Sequence, residues 1–135
     1  MSSSKRILFV CVGNTCRSQM AEGFASLYGN GRFAVLSAGT SAMGVVNGPT
    51  IEAMAEAGVD ISGQTSKQLT GEMLRWADVV VTMGCSPADR LCPASFKGKK
   101  IDWHIEDPLG RPWDVMRRVR DDIGGKVRDL LDSEG

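Results

Sequence analysis

Eight consecutive residues, CVGNTCRS from Cys11 to Ser18, combine a thiol, a flexible turn and a fixed positive charge. They follow an apolar run, ILFV, and precede a helix-like pattern in which Met20, Phe24 and Leu27 recur at three- and four-residue steps. A loop feeding a helix N-terminus leaves several backbone N–H groups free to face an anion, and the helix dipole adds to their pull. Gly13 removes a side chain that would block close approach, and Asn14 tolerates left-handed geometry. Arg17 supplies a planar, permanently charged fork suited to tetrahedral oxyanions. Among these donors Cys11 is expected to be a thiolate at neutral pH. Val12, Gly13, Asn14, Thr15, Cys16, Arg17 and Ser18 are therefore expected to hold an oxyanion over the Cys11 sulfur. The loop is neither a GxxxxGK[ST] nor a GxGxxG phosphate motif. The plainer alternative, a buried cysteine closing a strand beside a solvated arginine, does not call for Gly13, Asn14 and Ser18.

The flanking pattern says what positions this loop. Arg6 to Val12 reads as a buried strand and Ser18 to Tyr28 as a helix ended by Gly29-Asn30-Gly31. RFAVLSAG supplies a second strand, and Pro49 opens a helix through TIEAMAEA that Gly58 stops. A short helix from Thr70 to Trp76 precedes the strand-like run DVVVTM, and another short strand lies near Lys100 to Trp103. In the last segment, Trp113 to Leu131, the residues Val115, Val119, Ile123, Val127 and Leu130 share one helical face. Strands alternating with helices imply an α/β fold with a parallel sheet covered on both faces. Ligands in such sheets bind beyond the carboxyl ends of the strands, where the Cys11 loop falls.

The chain has 135 residues, consistent with a single domain over 1–135 and a real core. Sixteen acidic and sixteen basic side chains cancel, so neither nucleic acid nor a charged membrane surface is an expected partner. MSSSKRILFV lacks the long apolar core and cleavage site of a signal peptide, and no apolar run approaches the ~20 residues that span a bilayer. A cytoplasmic location is expected, where thiols stay reduced and disulfides tend to be transient and catalytic. The four cysteines, Cys11, Cys16, Cys85 and Cys92, form no C-x-x-C pair, and His104 is the only histidine, so no structural metal is expected.

Cys11-x5-Arg17-Ser18 resembles the phosphate loop of the low-molecular-weight protein tyrosine phosphatase fold. More closely, CVGNTCRSQMAEGF, SAGT, GVDISGQTS, the run from Asp78 to Met83 and EDP are similar to the arsenate reductases built on that fold, from about Ile7 to Leu131. The resemblance implies a three-layer architecture, with a four-stranded parallel sheet between helices. It implies Cys11 as nucleophile, Arg17 as anion clamp and Asp107 as general acid. Cys85 and Cys92 match the relay cysteines of the thioredoxin-coupled enzymes. Arsenate, with phosphate or sulfate as mimic, is then the substrate, and thioredoxin or another thiol the reductant, with no cofactor. Two alternatives remain open at this point. A tyrosine phosphatase would use Cys11, Arg17 and Asp107, although Gln19 stands where phosphatases of this fold usually have proline. A non-catalytic redox or oxyanion sensor would use the cysteines as a switch.

The stretch between Cys85 and Cys92 carries a physical expectation of its own. Ser86 reads as an N-cap, Pro87 as a first helical residue, Asp89 as a first-turn acid and Pro93 as a stop. A helix from Pro87 to Cys92 would hold the cysteines roughly 10 Å apart at ~1.5 Å per residue. Since a disulfide needs its α-carbons within about 7 Å, closing the pair must melt this segment. Ser18 either hydrogen-bonds the Cys11 sulfur or caps the helix. Cys16 reads as a small packing residue, His104 as a turn residue, and Trp76, Trp103 and Trp113 as packing. Some arsenate reductases of this family bind potassium behind the loop, and the resemblance leaves Asn14, Glu22 and Ser37 at three of the ligand positions. Lys67 stands where the fourth, an aspartate, would follow GQTS. Its ammonium either takes the ion's place beside Glu22 or points into solvent.

Overall fold

The computed structural model describes residues 4–84 and 86–135. The elements are β1 (Lys5–Cys11), α1 (Arg17–Gly29), β2 (Phe33–Gly39), α2 (Gly48–Glu56), α3 (Gly71–Trp76), β3 (Val79–Met83), α4 (Ala88–Leu91), β4 (Lys99–Trp103) and α5 (Trp113–Glu134). All strand pairings are parallel and the strand order is β2-β1-β3-β4.

β1 is central because its side chains are apolar on both faces. Ile7, Phe9 and Cys11 point into a core built with α1, α2 and α5, whereas Leu8 and Val10 point into a second core with Leu74, Ala77, Ala88 and Cys92. The period-2 alternation thus sandwiches the sheet between two helical layers. α5 contributes the expected face: Val115, Val119, Ile123, Val127 and Leu130 are all buried. Trp103 stacks obliquely on Phe9, its ring centroid 5.9 Å away, and Trp76 and Trp113 pack against the edges of the two cores.

Met20, Phe24 and Leu27 all fall in α1, with Met20 and Phe24 buried and Leu27 half exposed. The row continues at Tyr28, four residues after Phe24, whose ring lies 5.5 Å from that of Phe24. The helix between the paired cysteines is shorter than the expected Pro87 to Cys92. Pro87 and Cys92 flank it with extended backbone, ψ 150 and 139, and Pro87 rather than Ser86 occupies the N-cap position.

Register then brings the site together. Cys11, the last residue of β1, pairs with Gly39, the last of β2. A Cβ on Gly39 would lie 2.5 Å from the Val12 carbonyl oxygen and 2.9 Å from the Asn14 nitrogen. Glycine at that position is what lets the loop after β1 fold down against β2.

Candidate active site

The loop between β1 and α1 is defined by where its carbonyls go. Those of Cys11, Val12, Gly13 and Thr15 accept from the backbone N–H groups of Thr40, Ser41, Met43 and Asn47, at 2.8 to 3.1 Å. The Asn14 carbonyl accepts from Gln19 Nε2 at 3.1 Å, and that of Cys16 from Met20 N at 3.0 Å. Six successive carbonyls are thus committed to the surrounding protein. In a trans peptide the N–H points opposite to the carbonyl, so the amides of Val12 to Arg17 are turned the other way.

Over this loop lies a cavity of about 140 Å³ lined by Cys11, Val12, Gly13, Thr15, Cys16, Arg17, Ser41, Met43, Asp107 and Leu109. That volume suits a small tetrahedral anion and is well below a drug-sized pocket. A larger cleft of about 330 Å³ lies among Arg75, Asp78, Phe96 and Lys97. It sits at the N-terminal ends of β3 and β4 and is lined by no cysteine, so the smaller cavity is the candidate site. Gly13 lines that cavity, and a Cβ there would come within 3.1 Å of the Met43 side chain.

Cys11 is 2% exposed, and its Sγ lies 2.8 Å from Ser18 Oγ. Asn14 sets the direction of that contact. Held at φ 48, it donates from Nδ2 to Ser18 Oγ at 2.7 Å and to Ser37 Oγ at 2.9 Å. Ser18 therefore accepts from Asn14 and keeps its own proton for the sulfur. The N-cap of α1 is Cys16, with no side-chain cap bond, so Ser18 is not a cap. Asn14 and Ser18 are fully buried behind the cavity rather than lining it.

Arg17 is fixed from the far side. Its Nη1 donates to the carbonyls of Met83 at 2.6 Å and Ile105 at 3.2 Å, the last residue of β3 and the residue before the EDP loop. Gly84, at φ 89, makes room for this grip, because a Cβ there would stand 2.4 Å from Arg17 Nη1. The other edge of the guanidinium faces Asp107, Nη2 to Oδ2 3.8 Å. Asp107 is 54% exposed in its side chain and accepts from the Leu109 N–H at 3.1 Å. Glu106, beside it, is clamped by Arg111 and Arg118 at 3.3 and 3.0 Å, which ties the acidic loop to α5.

The remaining thiols are of a different kind. Cys16 Sγ accepts from Thr50 Oγ1 at 3.1 Å and from Asn47 Nδ2 at 3.4 Å, joining the loop to the start of α2. Burial pushes its thiol pKa up. Cys92 closes α4, its N–H donating to the Ala88 carbonyl at 2.9 Å, and burial raises its thiol pKa as well. Cys85 lies outside the described residues.

The model of the low molecular weight phosphotyrosine protein phosphatase family matches residues 6–134. The chain belongs to this family. Its relatives include an arsenate reductase of Brevibacillus brevis, 41% identical over 134 residues and covering 98% of each chain. Among solved structures, an arsenate reductase in the phosphate binding state is 38% identical, covers 96% of this chain and 98% of its own, and superposes with a TM-score of 0.81. A thioredoxin-dependent arsenate reductase of Corynebacterium glutamicum is 32% identical, with a TM-score of 0.84, over 98% of this chain and 62% of the longer neighbour.

Within this family frame, the position usually filled by proline in the phosphatases holds a residue with a defined task. Gln19 is fully buried and its Nε2 donates to Asn14 O, Asn14 Oδ1 and Thr65 O, while Gln64 Nε2 donates back to Gln19 O and Oε1. The pair braces the left-handed residue of the loop. The oxygens behind the loop are engaged with one another and with Lys67. Ser37 spends its proton on Glu22, Asn14 turns its donor nitrogen toward Ser37, and its Oδ1 accepts from Gln19 and from the Lys67 N–H. Lys67 Nζ lies 3.4 Å from Glu22 Oε1 and donates to Thr65 O at 2.8 Å. The ammonium is thus turned inward, onto the carboxylate a cation would need.

The sequence pattern did not point to Gln64, to Gly84 or to the two carbonyls that grip Arg17. A glycine directly after a strand was the only trace of that grip, since backbone carbonyls have no residue type.

Proposed function

We propose that this chain reduces arsenate to arsenite by nucleophilic displacement followed by a thiol relay. The observation that carries this reading is the loop of six committed carbonyls beside a fixed Arg17, with the buried Cys11 sulfur at its centre. Full-length relatives named arsenate reductase support it. Arsenate has the shape and charge of phosphate, so the loop amides of Val12 to Ser18 and the Arg17 fork hold it. The Cys11 thiolate attacks arsenic, and Asp107 protonates the departing hydroxide, which leaves as water. Cys85 then attacks the Cys11 sulfur. A sulfur–sulfur bond forms, the electron pair of the sulfur–arsenic bond stays on arsenic, and arsenite departs. Cys92 attacks Cys85, Cys11 leaves as thiolate, and a thioredoxin-type dithiol reduces the Cys85–Cys92 bond by exchange. Each turnover consumes one dithiol.

Sustained arsenite release with thioredoxin present tests the reading. A tyrosine phosphatase would hydrolyse aryl phosphates without consuming dithiol and release no arsenite. A sensor would stop after oxidising its own cysteines.

Two further expectations follow from the geometry of the loop. Arg17→Lys keeps the charge, but an ammonium cannot hold the Met83 and Ile105 carbonyls and also present a fork to the oxyanion. We expect kcat/KM for arsenate to fall on the order of 10²-fold, the scale on which lost oxyanion donors act. An unchanged kcat/KM would remove Arg17 from the anion clamp. Activity and thermal stability should be indifferent to exchanging potassium for sodium at constant ionic strength, because Lys67 already neutralises Glu22. Lys67→Asp should create a potassium dependence. Clear potassium activation of the unmodified protein would refute this substitution of ammonium for ion.

A further inference from the structure

α4 has only four residues, far below the ~12–15 at which an isolated helix is even marginal in water, so its fold depends on tertiary ties. Pro87 stands at its N-cap position and makes no side-chain cap bond. A bond to its first turn comes from the sheet. Asp102 on β4 accepts at Oδ1 from the Ala88 N–H at 2.9 Å and from the hydroxyl of Thr82, its cross-strand partner on β3. Two positions earlier on β4, Lys100 Nζ lies 3.2 Å from Asp89 Oδ1 in the first turn of α4. Asp89 is 87% exposed in its side chain, so that ion pair contributes little. The Asp102 carboxylate is the stronger tie, and both of its donors hold its pKa below the usual carboxylate value.

We propose that Asp102 is a positioning residue for the thiol relay, holding α4 folded and Cys92 buried in the dithiol state and thereby setting how readily Cys85 and Cys92 close. The inference rests on the relay reading above. Cys92 is 7% exposed, terminates α4 through its bond to Ala88 O, and carries a thiol that burial keeps protonated. To attack Cys85 it must lose its proton and become a thiolate, and a disulfide needs its α-carbons within about 7 Å, a closure that a folded α4 between the two cysteines resists. The bond from Asp102 to the first residue of α4 opposes this, while the same bond stabilises the dithiol form to which the reductant returns the protein. The relay pair is thus kept more oxidising than its bare sequence would make it.

The equilibrium between the Cys85–Cys92 dithiol and disulfide tests the assignment. It is measured in the full chain carrying Cys11→Ser and Cys16→Ser, in glutathione buffers of defined ratio, with alkylation and mass spectrometry as readout. Loss of a capping bond corresponds to roughly threefold to thirtyfold in such an equilibrium. Asp102→Ala should therefore shift the pair about tenfold toward the disulfide, a potential about 30 mV more negative for this two-electron couple. Asp102→Asn, which keeps an acceptor oxygen and the side-chain shape, should shift it less. If the alanine variant does not fold, the asparagine variant decides by the same measurement. An unchanged ratio, or a shift toward the dithiol, overturns the role of Asp102. If the parent forms no Cys85–Cys92 disulfide in any buffer, the relay itself falls, and the two failures are told apart by the parent alone.

Discussion

Cys11→Ser should abolish arsenate reduction and any side activity on aryl phosphates while leaving the oxyanion pocket intact. The hydroxyl is far less ionised than a thiol at neutral pH, so the attacking group is lost. Removing a covalent nucleophile costs several orders of magnitude in other enzymes, and a fall of at least about 10⁴-fold is expected here. The pocket should survive because its shape does not depend on sulfur. The loop carbonyls are held by Thr40, Ser41, Met43, Asn47, Gln19 and Met20, and Arg17 by Met83 and Ile105. Phosphate binding measured by calorimetry should therefore persist in the variant. Arsenite production near the parent rate would remove Cys11 as nucleophile, and loss of phosphate binding would mean that the sulfur also shapes the loop.

The frame around that pocket was legible because it is written in periodicities. Apolar runs at Ile7 to Val10 and Val79 to Val81, alternating with amphipathic helices, gave the parallel sheet and its layers. The one face of α5 was readable because its five apolar positions keep to a helical step. The buried row of α1 was less legible: three- and four-residue steps both fit a helix, and only packing selects the row through Tyr28 over Leu27. The start of α4 failed differently. Ser86-Pro87 has the composition of a local cap with Ser86 as the capping residue, yet Pro87 takes that position, and Asp102, fourteen residues away from Ala88, bonds the first turn.

The site divides along the same line. The residues expected to present chemistry, Cys11, Arg17 and Asp107, have types that announce themselves, and the structure brings all three to one cavity. What orients them is largely backbone. Arg17 is aimed by two carbonyls at the carboxyl ends of β3 and β4, and the loop amides are aimed by carbonyl bonds to residues 40–47. Such contacts carry no side-chain signature and become visible only when the strands are in register. Cys16 shows the converse: a cysteine inside the phosphate loop invites a redox role, but its sulfur accepts from Thr50 and Asn47 and serves packing.

Cys92→Ser should separate the first displacement from the recycling of the enzyme. Attack on arsenic and release of arsenite call only on Cys11 and Cys85, so one equivalent of arsenite per chain should appear at a rate close to that of the parent. Turnover should then stop, with the protein held as a Cys11–Cys85 disulfide that alkylation and peptide mass spectrometry identify. Thioredoxin should not rescue it. The Cys11 sulfur lies at the floor of a cavity of about 140 Å³, which no folded dithiol protein can enter, whereas a small dithiol can. Dithiothreitol should therefore restore slow turnover where thioredoxin does not. On the proposed relay, native Cys92 would resolve this mismatch of size by moving the disulfide from the cavity floor to the Cys85–Cys92 pair, whose Cys92 closes the short helix α4. Sustained turnover of Cys92→Ser with thioredoxin would show that the disulfide never needs to travel, and Cys92 would then be only the buried end of α4.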